Sequence, residues 1–416
     1  MYGLLGASLK HSFSKEIHQN FGIQNYSLFE TDNLKDFFKN IPFLGVNVTI
    51  PYKESVIPFL DILDDSAKRI GCVNTIVRRN KQLIGYNTDY YGLKSLLIFH
   101  HISIENKKVL IIGNGGAAKT CNVLFHDLDA RIVTKICRNP KEDFEIPFKL
   151  IDTVVDYDII VNTTPIGMYP NNDDNMLFDL GLFSNCKTVI DLIYNPIQTK
   201  LLLEAKSRNI QAVNGLYMLV MQAKKSDELF LLKEISIPFA NKVYESIKLQ
   251  MINIVFIGLP LSGKSKYARL IAQKYEKDLI DTDESIETLT NKKISEIFEG
   301  EGEKAFRIHE NDYVDAIYKS HGVVISTGGG MVLNHELMMK LKQNGYFIYL
   351  DKDPIKIAEL SIHNRPLIKQ SKDIIQLDLV RRPLYKKYQD TIIEISKDTD
   401  FHIREIEAKL NEYISH

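Results

Sequence analysis

The sequence predicts an α/β protein that contains two separate nucleotide-type folds. Short apolar runs alternate with longer amphipathic stretches along the chain, which is typical of βαβ units. Two of these runs lead directly into glycine-rich turns, which begin at Gly113 and Gly258. One doubly wound unit needs only about half as many residues as separate Gly113 from Gly258. The whole chain, at 416 residues, is about two to three times as long as a typical domain. Each turn is therefore expected in its own fold.

Composition and charge exclude several classes of protein. Hydrophobic residues make up 44% of the chain and charged residues 25%, as in ordinary globular proteins, so wholesale disorder is excluded. The formal net charge of −1 provides no field that would draw the protein to nucleic acid or to an anionic membrane. No run approaches the roughly 20 apolar residues that cross a bilayer, and the four cysteines lie far apart. We expect small-molecule partners, no nucleic-acid or membrane partner, and a cytoplasmic location.

The first glycine turn predicts a dinucleotide site. It follows a predicted strand at 109–112, and its glycines would let a pyrophosphate approach the start of the next helix. Ala118 replaces the third glycine of the usual pattern, so a turn without a ligand is equally compatible with this motif alone. The next predicted strand, 131–137, leads to Arg138 and to no carboxylate. This favours NADP over NAD, because arginine pairs with a 2′-phosphate, and a solvated surface arginine is the alternative.

The second glycine turn predicts an ATP site. GLPLSGKS, which begins at Gly258, fits G-x-x-x-x-G-K-[ST] between a predicted strand at 252–257 and a predicted helix at 266–274. Backbone N–H groups would cradle phosphates, Lys264 would reach the β- and γ-phosphate oxygens, and Ser265 would bind Mg²⁺. The residues expected to contact ATP are Gly258, Ser262, Gly263, Lys264 and Ser265.

Small polar residues and one lysine recur at predicted strand ends and turns around the first glycine turn. They stand in HSFSKEIH from His11, GVNVTIPYK from Gly45, GCVNTIV from Gly71, GYNTDYYG from Gly85, NTTPIGM from Asn162, DLIYNP from Asp191 and NGLYMLVMQA from Asn214. Such groups can converge on a hydroxylated ligand, and the order and wording of these stretches resemble shikimate dehydrogenase over residues 1–250. The resemblance implies NADP(H)-dependent reduction of 3-dehydroshikimate to shikimate.

This resemblance implies a role for each matching residue. Lys53 and Asp89 would be the catalytic pair, in which the lysine stabilises the charge that hydride transfer builds on a ketone oxygen and Asp89 orients the lysine. Taken singly, a solvated Lys53 and a turn-forming Asp89 are the simpler interpretations. The implied substrate-binding residues are Ser12, Ser14, Thr49, Asn74 and Gln222, and the implied cofactor-binding residues are Gly113, Asn114, Gly115, Gly116, Ala117, Arg138, Asn139, Thr163 and Gly215. Lys15 and Cys137 depart from the family's usual proline and asparagine.

Five stretches after the second glycine turn contain further charged residues and glycines. They read DTDESIE from Asp281, IFEGEGEKAFRIHE from Ile297, ISTGGGMV from Ile325, NRPLI from Asn364 and RRPLYKKY from Arg381. In this order they resemble shikimate kinase over residues 251–416, which implies ATP-dependent phosphorylation of shikimate at its 3-hydroxyl. The resemblance implies that Asp281 and Ser265 bind the metal and that Asp283 orients the shikimate hydroxyl or acts as its base. It implies that Arg307 and Arg381 bind the shikimate carboxylate and that Gly328, Gly329 and Gly330 contact the same molecule. Arg365 would lie on a mobile lid. Leu261 replaces the family's usual glycine, which predicts slower or weaker ATP binding.

The two resemblances together predict a bifunctional enzyme in which the product of the first half is the substrate of the second. We expect an α/β substrate-binding domain at 1–100 with returning helices at about 216–250, a Rossmann NADP-binding domain at 101–215, and a P-loop NTPase-like kinase domain with a parallel sheet and a lid at 251–416. One alternative is a catalytically silent sensor of pathway intermediates. Another is a dehydrogenase that accepts quinate or NAD and whose kinase half is impaired by Leu261. We expect a monomer or a homodimer.

Overall fold

The computed structural model of the chain describes residues 1–9, 13–140, 145–172, 178–359 and 371–416. These residues form two compact units, Met1–Ile247 and Lys248–His416. The division falls within one helix, Ile237–Met251, close to the domain start that the sequence predicts at residue 251. None of the helices in the described ranges combines the length and the apolarity that crossing a membrane requires.

The first unit is built from short strands and helices that alternate along much of the chain. Its strands are β1 Tyr2–Gly6, β2 Tyr26–Glu30, β3 Gly45–Val48, β4 Ile62–Leu63, β5 Thr75–Arg79, β6 Gln82–Tyr86, β7 Lys108–Ile112, β8 Ile132–Cys137, β9 Glu145–Pro147, β10 Ile159–Asn162, β11 Thr188–Asp191 and β12 Gln211–Asn214. Its helices are α1 Ser14–Asn20, α2 Leu34–Asn40, α3 Asp65–Ile70, α4 Asp89–Phe99, α5 Gly116–Asp127, α6 Lys200–Ser207 and α7 Leu216–Leu231, followed by α8 Ile237–Met251, which runs past the unit boundary.

Two sheets organise this unit. Within the described ranges, β1 to β6 form a mixed sheet in the order β2-β1-β3-β5-β6-β4, in which β5 is antiparallel to both of its neighbours. Strands β7 to β12 form a parallel sheet in the order β12-β11-β10-β7-β8-β9. The strand order reverses at β7, and open α/β sheets bind ligands beyond the carboxyl ends of their strands at such a reversal. The first glycine turn follows β7 directly, so the fold presents it at this position.

Burial explains why the parallel strands read as uninterrupted apolar runs. The residues at 109–112 in β7 and at 159–161 in β10 are buried along their whole length. Helices cover both faces of a parallel sheet, so neither face tolerates alternating polar residues. The apolar runs that predict the α/β class are thus the buried parallel strands of the sheet, and the predicted class is confirmed.

Many helices begin at a side chain that accepts a hydrogen bond from the first turn. Such a cap satisfies a backbone N–H that has no partner within the helix, and it contributes about 1 kcal/mol. The capping residues are Asn33 of α2, Asp64 of α3 and Thr199 of α6 in the first unit, and Asp281, Asn334, Asp353 and Asp398 in the second.

A fully buried hydrogen-bonded pair connects α1 to α7. Nδ1 of His18 lies 2.6 Å from Oδ1 of Asp227, and neither side chain is exposed. The His18 ring also stacks on Tyr26 of β2, with 4.1 Å between the ring centroids. Burial raises the pKa of the Asp227 carboxyl above its usual value, although His18 opposes the shift. The pair thus fixes the position of α1 against the helix that carries Gln222.

We expect Asp227→Ala to destabilise the first unit by at least about 2 kcal/mol, because it leaves a buried imidazole without its partner. Urea unfolding followed by circular dichroism measures this loss. Arg208→Ala is the matched control, since Arg208 forms a half-exposed pair with Glu204 on α6, and such pairs contribute less than about 1 kcal/mol. Equal unfolding midpoints for the two variants would contradict a structural role for the buried pair.

The second unit is built from helices and one parallel sheet. Its strands are β13 Asn253–Ile257, β14 Leu279–Asp281, β15 Val324–Ser326, β16 Gly345–Asp351 and β17 Thr391–Glu394. Its helices are α9 Lys264–Lys274, α10 Thr282–Thr290, α11 Ile294–Gly300, α12 Glu303–Ile317, α13 His335–Lys342, α14 Pro354–Ala358, α15 Ser371–Tyr388 and α16 Thr399–Ser415. Over the ranges that the structure describes, the sheet order is β14-β15-β13-β16-β17 and all neighbours are parallel. This confirms the predicted P-loop fold.

Candidate active sites

An ammonium–carboxylate pair lies at the edge of the mixed sheet in the first unit. Lys53 follows β3 in a loop, and Asp89 is the first residue of α4. Nζ of Lys53 donates to Oδ2 of Asp89 at 2.6 Å, with the lysine side chain 21% exposed and the aspartate 8% exposed. Nδ2 of Asn74 donates to the other carboxylate oxygen at 2.9 Å. Both oxygens of Asp89 are therefore engaged, which fixes the direction in which Lys53 points.

The surroundings of Lys53 keep its side chain charged. Burial by itself favours the neutral amine, but the adjacent Asp89 carboxylate outweighs burial and raises the pKa of Lys53 above its usual value. Burial raises the pKa of the neighbouring Cys72 thiol to about 11, so this thiol stays neutral near pH 7. The site thus holds a protonated amine with a fixed hydrogen-bond acceptor behind it.

The remaining predicted substrate residues that the structure describes lie on α7, on α1 and in the segment after β3. Oε1 of Gln222, on α7, is 3.4 Å from Nδ2 of Asn74, so these two side chains meet. Ser14 is the buried first residue of α1. Thr49 follows β3, and its backbone N–H donates to the carbonyl of Leu5 at 2.9 Å. Ser12 falls outside the described residues.

The first glycine turn packs against this site. Gly113 has a φ of +116°, and a Cβ there would lie 2.5 Å from Oγ1 of Thr163, so the turn requires glycine. A Cβ at Gly116 would lie 2.6 Å from Sγ of Cys72 and 3.4 Å from Cδ of Lys53. The amino terminus of α5, which favours anions, therefore lies beside the lysine.

The other predicted cofactor residues surround the same turn. Nδ2 of Asn114 donates to the carbonyl of Asn139 at 3.1 Å, which connects the turn to the end of β8. Arg138 is exposed beside it. Ala117 is the second residue of α5, and a Cβ at Gly215 would lie 2.1 Å from the carbonyl oxygen of Leu192, which shows close packing after β12.

Sequence reasoning missed a carboxylate near the end of β8. Sγ of Cys137 lies 3.7 Å from Oε2 of Glu145, the first residue of β9. Glu145 is buried and pairs with Lys135 at 2.9 Å. Since its charge is already paired inside the protein, Glu145 is not placed as an acceptor for a ribose hydroxyl.

The second glycine turn has the geometry of a phosphate cradle. Gly258 and Gly263 have φ values of +149° and +102°, and Nζ of Lys264 donates to the carbonyls of Gly258 and Leu259 at 3.0 and 2.9 Å. Oγ of Ser262 is buried and has no hydrogen-bond partner within the described residues. A buried hydroxyl of this kind costs free energy unless a ligand satisfies it, so the loop fits a polyphosphate.

Two side chains that carry oxygen atoms lie together at the end of this loop. Oγ of Ser265 donates to Oδ2 of Asp281 at 2.6 Å, while Oδ1 of Asp281 accepts the backbone N–H of Asp283 at 3.2 Å. No group of three or more histidine, cysteine or acidic residues arranged for a metal occurs in the described ranges. A hydroxyl and one carboxylate fit Mg²⁺, which takes one or two protein oxygens and completes its shell with water and phosphate.

The triple glycine lies against the predicted carboxylate-binding residues. A Cβ at Gly328 would lie 2.7 Å from Oδ1 of Asp283, and a Cβ at Gly330 would lie 2.3 Å from Nη2 of Arg307. Nη1 of Arg381, which is 4% exposed, donates to the carbonyl of Gly329 at 3.0 Å. The backbone at these glycines can therefore approach a ligand that lies between an acid and two arginines. Arg365 and the predicted lid around it lie outside the described residues.

Glu310 is a second residue that sequence reasoning missed in this unit. Its Oε2 accepts from Nη1 of Arg307 at 2.8 Å, and its side chain is 2% exposed. Burial raises the pKa of Glu310, although Arg307 opposes the shift. The other oxygen, Oε1, has no hydrogen-bond partner in the part of the chain that the structure describes. The three-residue spacing from Arg307, which places both on one face of α12, was the available signal.

These two sites define the class of the protein. A glycine turn at the reversal point of a parallel sheet, beside a protonated lysine, is the site of a dinucleotide-dependent oxidoreductase. A phosphate loop followed by a serine–aspartate pair and two arginines is the site of a small-molecule phosphotransferase.

Comparison with known proteins identifies both enzymes. The family described as "Shikimate dehydrogenase substrate binding domain" matches residues 4–76, and the family described as "Shikimate kinase" matches residues 260–414. A shikimate dehydrogenase (NADP(+)) of Clostridium beijerinckii is 39% identical over 246 residues, which cover 55% of this chain and 91% of the relative. The chain belongs to the shikimate dehydrogenase family and continues into a shikimate kinase domain. It is a bifunctional enzyme with oxidoreductase and kinase domains.

Solved structures agree with this assignment for the first part of the chain. A chorismate mutase/shikimate 5-dehydrogenase fusion protein from Clostridium acetobutylicum has a TM-score of 0.56 at 35% identity and covers 59% of this chain and 96% of its own. Shikimate dehydrogenase 1 from Peptoclostridium difficile has a TM-score of 0.55 at 37% identity, with 60% and 97% covered. A shikimate 5-dehydrogenase from Thermus thermophilus in complex with NADP(H) and shikimate has a TM-score of 0.51 at 26% identity, with 58% and 97% covered.

Proposed function

We propose that this chain catalyses two consecutive reactions: reduction of 3-dehydroshikimate to shikimate with NADPH, and phosphorylation of the shikimate 3-hydroxyl with ATP and Mg²⁺. The observation that carries the proposal is the position of Gly116 against Lys53, which brings a cofactor-binding turn to a charged proton donor. The kinase half rests on the serine–aspartate pair next to the phosphate loop. The two halves share shikimate as a ligand.

Lys53 acts as the proton donor in the reduction. NADPH bound at the first glycine turn would supply a hydride to the ketone carbon. The Lys53 ammonium donates a hydrogen bond to the ketone oxygen, stabilises the negative charge that forms there, and transfers one proton to it. Asp89 holds the ammonium in place and keeps its pKa high until that transfer, after which solvent reprotonates the amine.

Polar side chains around the pair hold the substrate. Asn74 and Gln222 already meet, and amides of this kind donate to and accept from ring hydroxyls. We assign the substrate carboxylate and the remaining hydroxyls to Ser14 and Thr49, and we retain Ser12 in this set from the resemblance alone. Ser14 begins α1, Thr49 follows β3, Asn74 precedes β5 and Gln222 lies within α7, so rigid elements fix the positions of these four side chains.

Arg138 is the proposed determinant of the preference for NADPH. It is exposed beside the turn that Asn114 and Asn139 connect, and the neighbouring Glu145 is paired with Lys135. We expect Arg138→Ala to raise the KM for NADPH about tenfold or more, with little change in the KM for NADH, because only NADPH carries a 2′-phosphate. Steady-state kinetics with both cofactors measure this, and an equal effect on both would assign Arg138 to another role.

The kinase site assigns separate roles to its charged residues. Lys264 and the loop amides hold the phosphates, and Ser265 with Asp281 holds Mg²⁺, which would neutralise charge on the phosphate oxygens. Asp283 orients the 3-hydroxyl and accepts its proton. Arg307 and Arg381 hold the carboxylate, and Glu310 fixes the Arg307 guanidinium through the bond at 2.8 Å. Arg365 remains a proposed lid residue by resemblance.

Leu261 adopts a left-handed conformation, with a φ of +64°, which costs a leucine about 1 to 2 kcal/mol. The loop nevertheless keeps its shape, since Gly258 and Gly263 also have positive φ and Nζ of Lys352 lies 3.4 Å from the carbonyl of Leu261. We therefore expect Leu261→Gly to change the KM for ATP by less than about threefold. A decrease of tenfold or more in the KM for ATP, which corresponds to about 1.4 kcal/mol of tighter binding, would support the impaired-kinase alternative.

The proposed domain organisation follows the two sheets and the phosphate loop. Strands β1 to β6 lie within 1–100 and strands β7 to β12 within 101–215, which supports a substrate-binding domain followed by a Rossmann domain. Helices in the range of about 216–250 return to the first of these, since α7 carries Gln222 to Asn74. The kinase domain occupies 251–416. We propose a monomer or a homodimer.

Two separate assays test the proposed function. Purified protein should oxidise NADPH in the presence of 3-dehydroshikimate, and it should form ADP in the presence of shikimate, ATP and Mg²⁺. Quinate and NADH serve as comparison substrates. Binding of 3-dehydroshikimate and shikimate without either turnover would contradict the proposal and would indicate a sensor.

A further inference from the structure

Four buried polar side chains form a hydrogen-bonded cluster directly behind Asn74 and Asp89. None is more than 5% exposed, and they come from four different segments. The members of this buried polar cluster are Asn47 of β3, Thr75 of β5, Thr88 just before α4, and Ser226 of α7. Neither the sequence motifs nor the reaction steps above assign a role to Ser226.

Ser226 contacts every other member of the cluster. Its Oγ lies 2.8 Å from Nδ2 of Asn47, 2.9 Å from Oγ1 of Thr75 and 3.1 Å from Oγ1 of Thr88. It also lies 3.0 Å from the backbone carbonyl of Gln222, one helical turn earlier, to which it donates. A hydroxyl has one donor and two acceptor positions. The Gln222 carbonyl takes the proton and Asn47 uses one acceptor position, so Thr75 and Thr88 share the other.

The cluster fixes the Asn74 amide through both of its polar atoms. The backbone N–H of Thr88 donates to Oδ1 of Asn74 at 2.7 Å, and Nδ2 of Asn74 donates to Oγ1 of Thr88 at 3.0 Å. The same Nδ2 donates to Asp89, which in turn accepts from Lys53. A continuous chain of hydrogen bonds therefore runs from Ser226 to Lys53.

Helix α7 brings these contacts together on one rigid element. Gln222 meets Asn74 one turn before Ser226, and Asp227 pairs with His18 of α1 immediately after it. Tyr26, which stacks on His18, donates to Oδ1 of Asn47 at 2.8 Å. The helix thus fixes the cluster from two sides, which limits how far its members can relax when one hydrogen bond is lost.

We propose that Ser226 is a positioning residue of the dehydrogenase site, and that its hydroxyl fixes Asn74 and Asp89 and through them the direction of the Lys53 ammonium. The inference rests on the proposed reduction by Lys53. Without the hydroxyl, Thr75 and Thr88 lose the buried acceptor position that they share and compete for Oδ1 of Asn74, which lies 3.2 Å from both. In a buried network such competition permits alternative side-chain orientations.

The first test compares the kinetics of Ser226→Ala and Ser226→Cys with those of a matched control. Cysteine fills the space of the hydroxyl but is a weak donor and acceptor, so it keeps the packing and removes the hydrogen bonds. Thr188→Val is the control, because it removes a buried hydroxyl that bonds Gln211 at 3.0 Å in the second sheet. We expect both Ser226 variants to lower the kcat of the dehydrogenase reaction about tenfold, with the KM for NADPH and the kinase activity unchanged.

The pH profile separates positioning from a general loss of stability. Asp89 and Cys72 face Lys53, and the Asp89 carboxylate raises the pKa of that ammonium. A displaced carboxylate would raise the pKa of Lys53 less, so Lys53 would lose its proton at a lower pH. We expect the alkaline limb of kcat/KM for the reduction to move to lower pH in the Ser226 variants and to stay in place in Thr188→Val.

The outcomes distinguish this inference from the proposed function. Wild-type protein that does not reduce 3-dehydroshikimate would overturn the proposed function itself. An active wild type whose Ser226 variants keep its kcat and its alkaline limb would overturn only the positioning role, even if the variants unfold more easily. If Ser226→Ala does not fold, the packing-matched Ser226→Cys variant decides the question by the same two measurements.

Discussion

Lys53→Ala will lower the kcat of the dehydrogenase reaction by about 10²- to 10⁴-fold, the range that a positioned proton donor contributes. The variant removes both the charge that stabilises the forming alkoxide and the proton that neutralises it. The variant also leaves Oδ2 of Asp89 without its ammonium partner, while Asn74 continues to hold the other carboxylate oxygen. NADPH oxidation in the presence of 3-dehydroshikimate measures the change.

The kinase activity of the same protein is the internal reference for this variant. It should be unchanged, since Lys53 belongs to the first compact unit and the phosphate loop belongs to the second. Lys68→Ala, at an exposed lysine of α3, is the control for the loss of one positive charge. Loss of both activities in a folded Lys53→Ala protein would show that the two sites are not independent.

Lys264→Ala will abolish most of the kinase activity while leaving the reduction intact. In this structure Nζ of Lys264 donates to the carbonyls of Gly258 and Leu259, at the position from which a lysine reaches transferring phosphate oxygens. A group that stabilises charge formed in the transition state contributes about 10²- to 10³-fold or more to kcat. Formation of ADP and of shikimate 3-phosphate measures the loss.

The control for this variant is another lysine of the same helix. Lys274, at the end of α9, forms a half-exposed pair with Glu407, so Lys274→Ala should keep the kinase activity. A Lys264→Ala protein that phosphorylates shikimate at the wild-type rate would remove the phosphate loop from the proposed mechanism.

The local parts of the fold could be predicted because their causes are local. The strand before each glycine turn is an apolar run that the sheet buries on both faces, and the predicted runs at 109–112 and 252–257 lie within or overlap β7 and β13. The predicted helix at 266–274 begins two residues earlier, at Lys264, because Gly263 with its positive φ allows the chain to turn directly into the helix.

Contacts between distant segments were less accessible to sequence reasoning. Ser226 and Asp227 appear in the sequence as ordinary residues of an amphipathic helix, and only the fold brings them to Thr75 and His18. Glu310 could have been inferred from its spacing to Arg307, but its burial depends on the approach of Asp283 and the triple glycine. Buried polar groups acquire their roles from partners far along the chain.

The backbone angle φ of Leu261 explains how the phosphate loop accommodates a leucine where glycine is usual. The sequence indicates only that a leucine occupies a position where glycine is usual. The φ of +64° shows that the left-handed conformation is kept, so the substitution is absorbed as local strain rather than as a different loop. The Leu261→Gly variant decides between the weaker ATP binding that the sequence predicts and the small effect that the left-handed backbone of Leu261 predicts.

The most direct measurement supplies purified protein with 3-dehydroshikimate, NADPH, ATP and Mg²⁺ and follows NADPH oxidation together with shikimate 3-phosphate. We expect that both rise, that shikimate 3-phosphate never exceeds the NADPH oxidised, and that omission of NADPH prevents phosphorylation until shikimate is added. NADPH oxidation that yields shikimate but no shikimate 3-phosphate, even with ATP in excess, would contradict the claim that one chain performs both reactions.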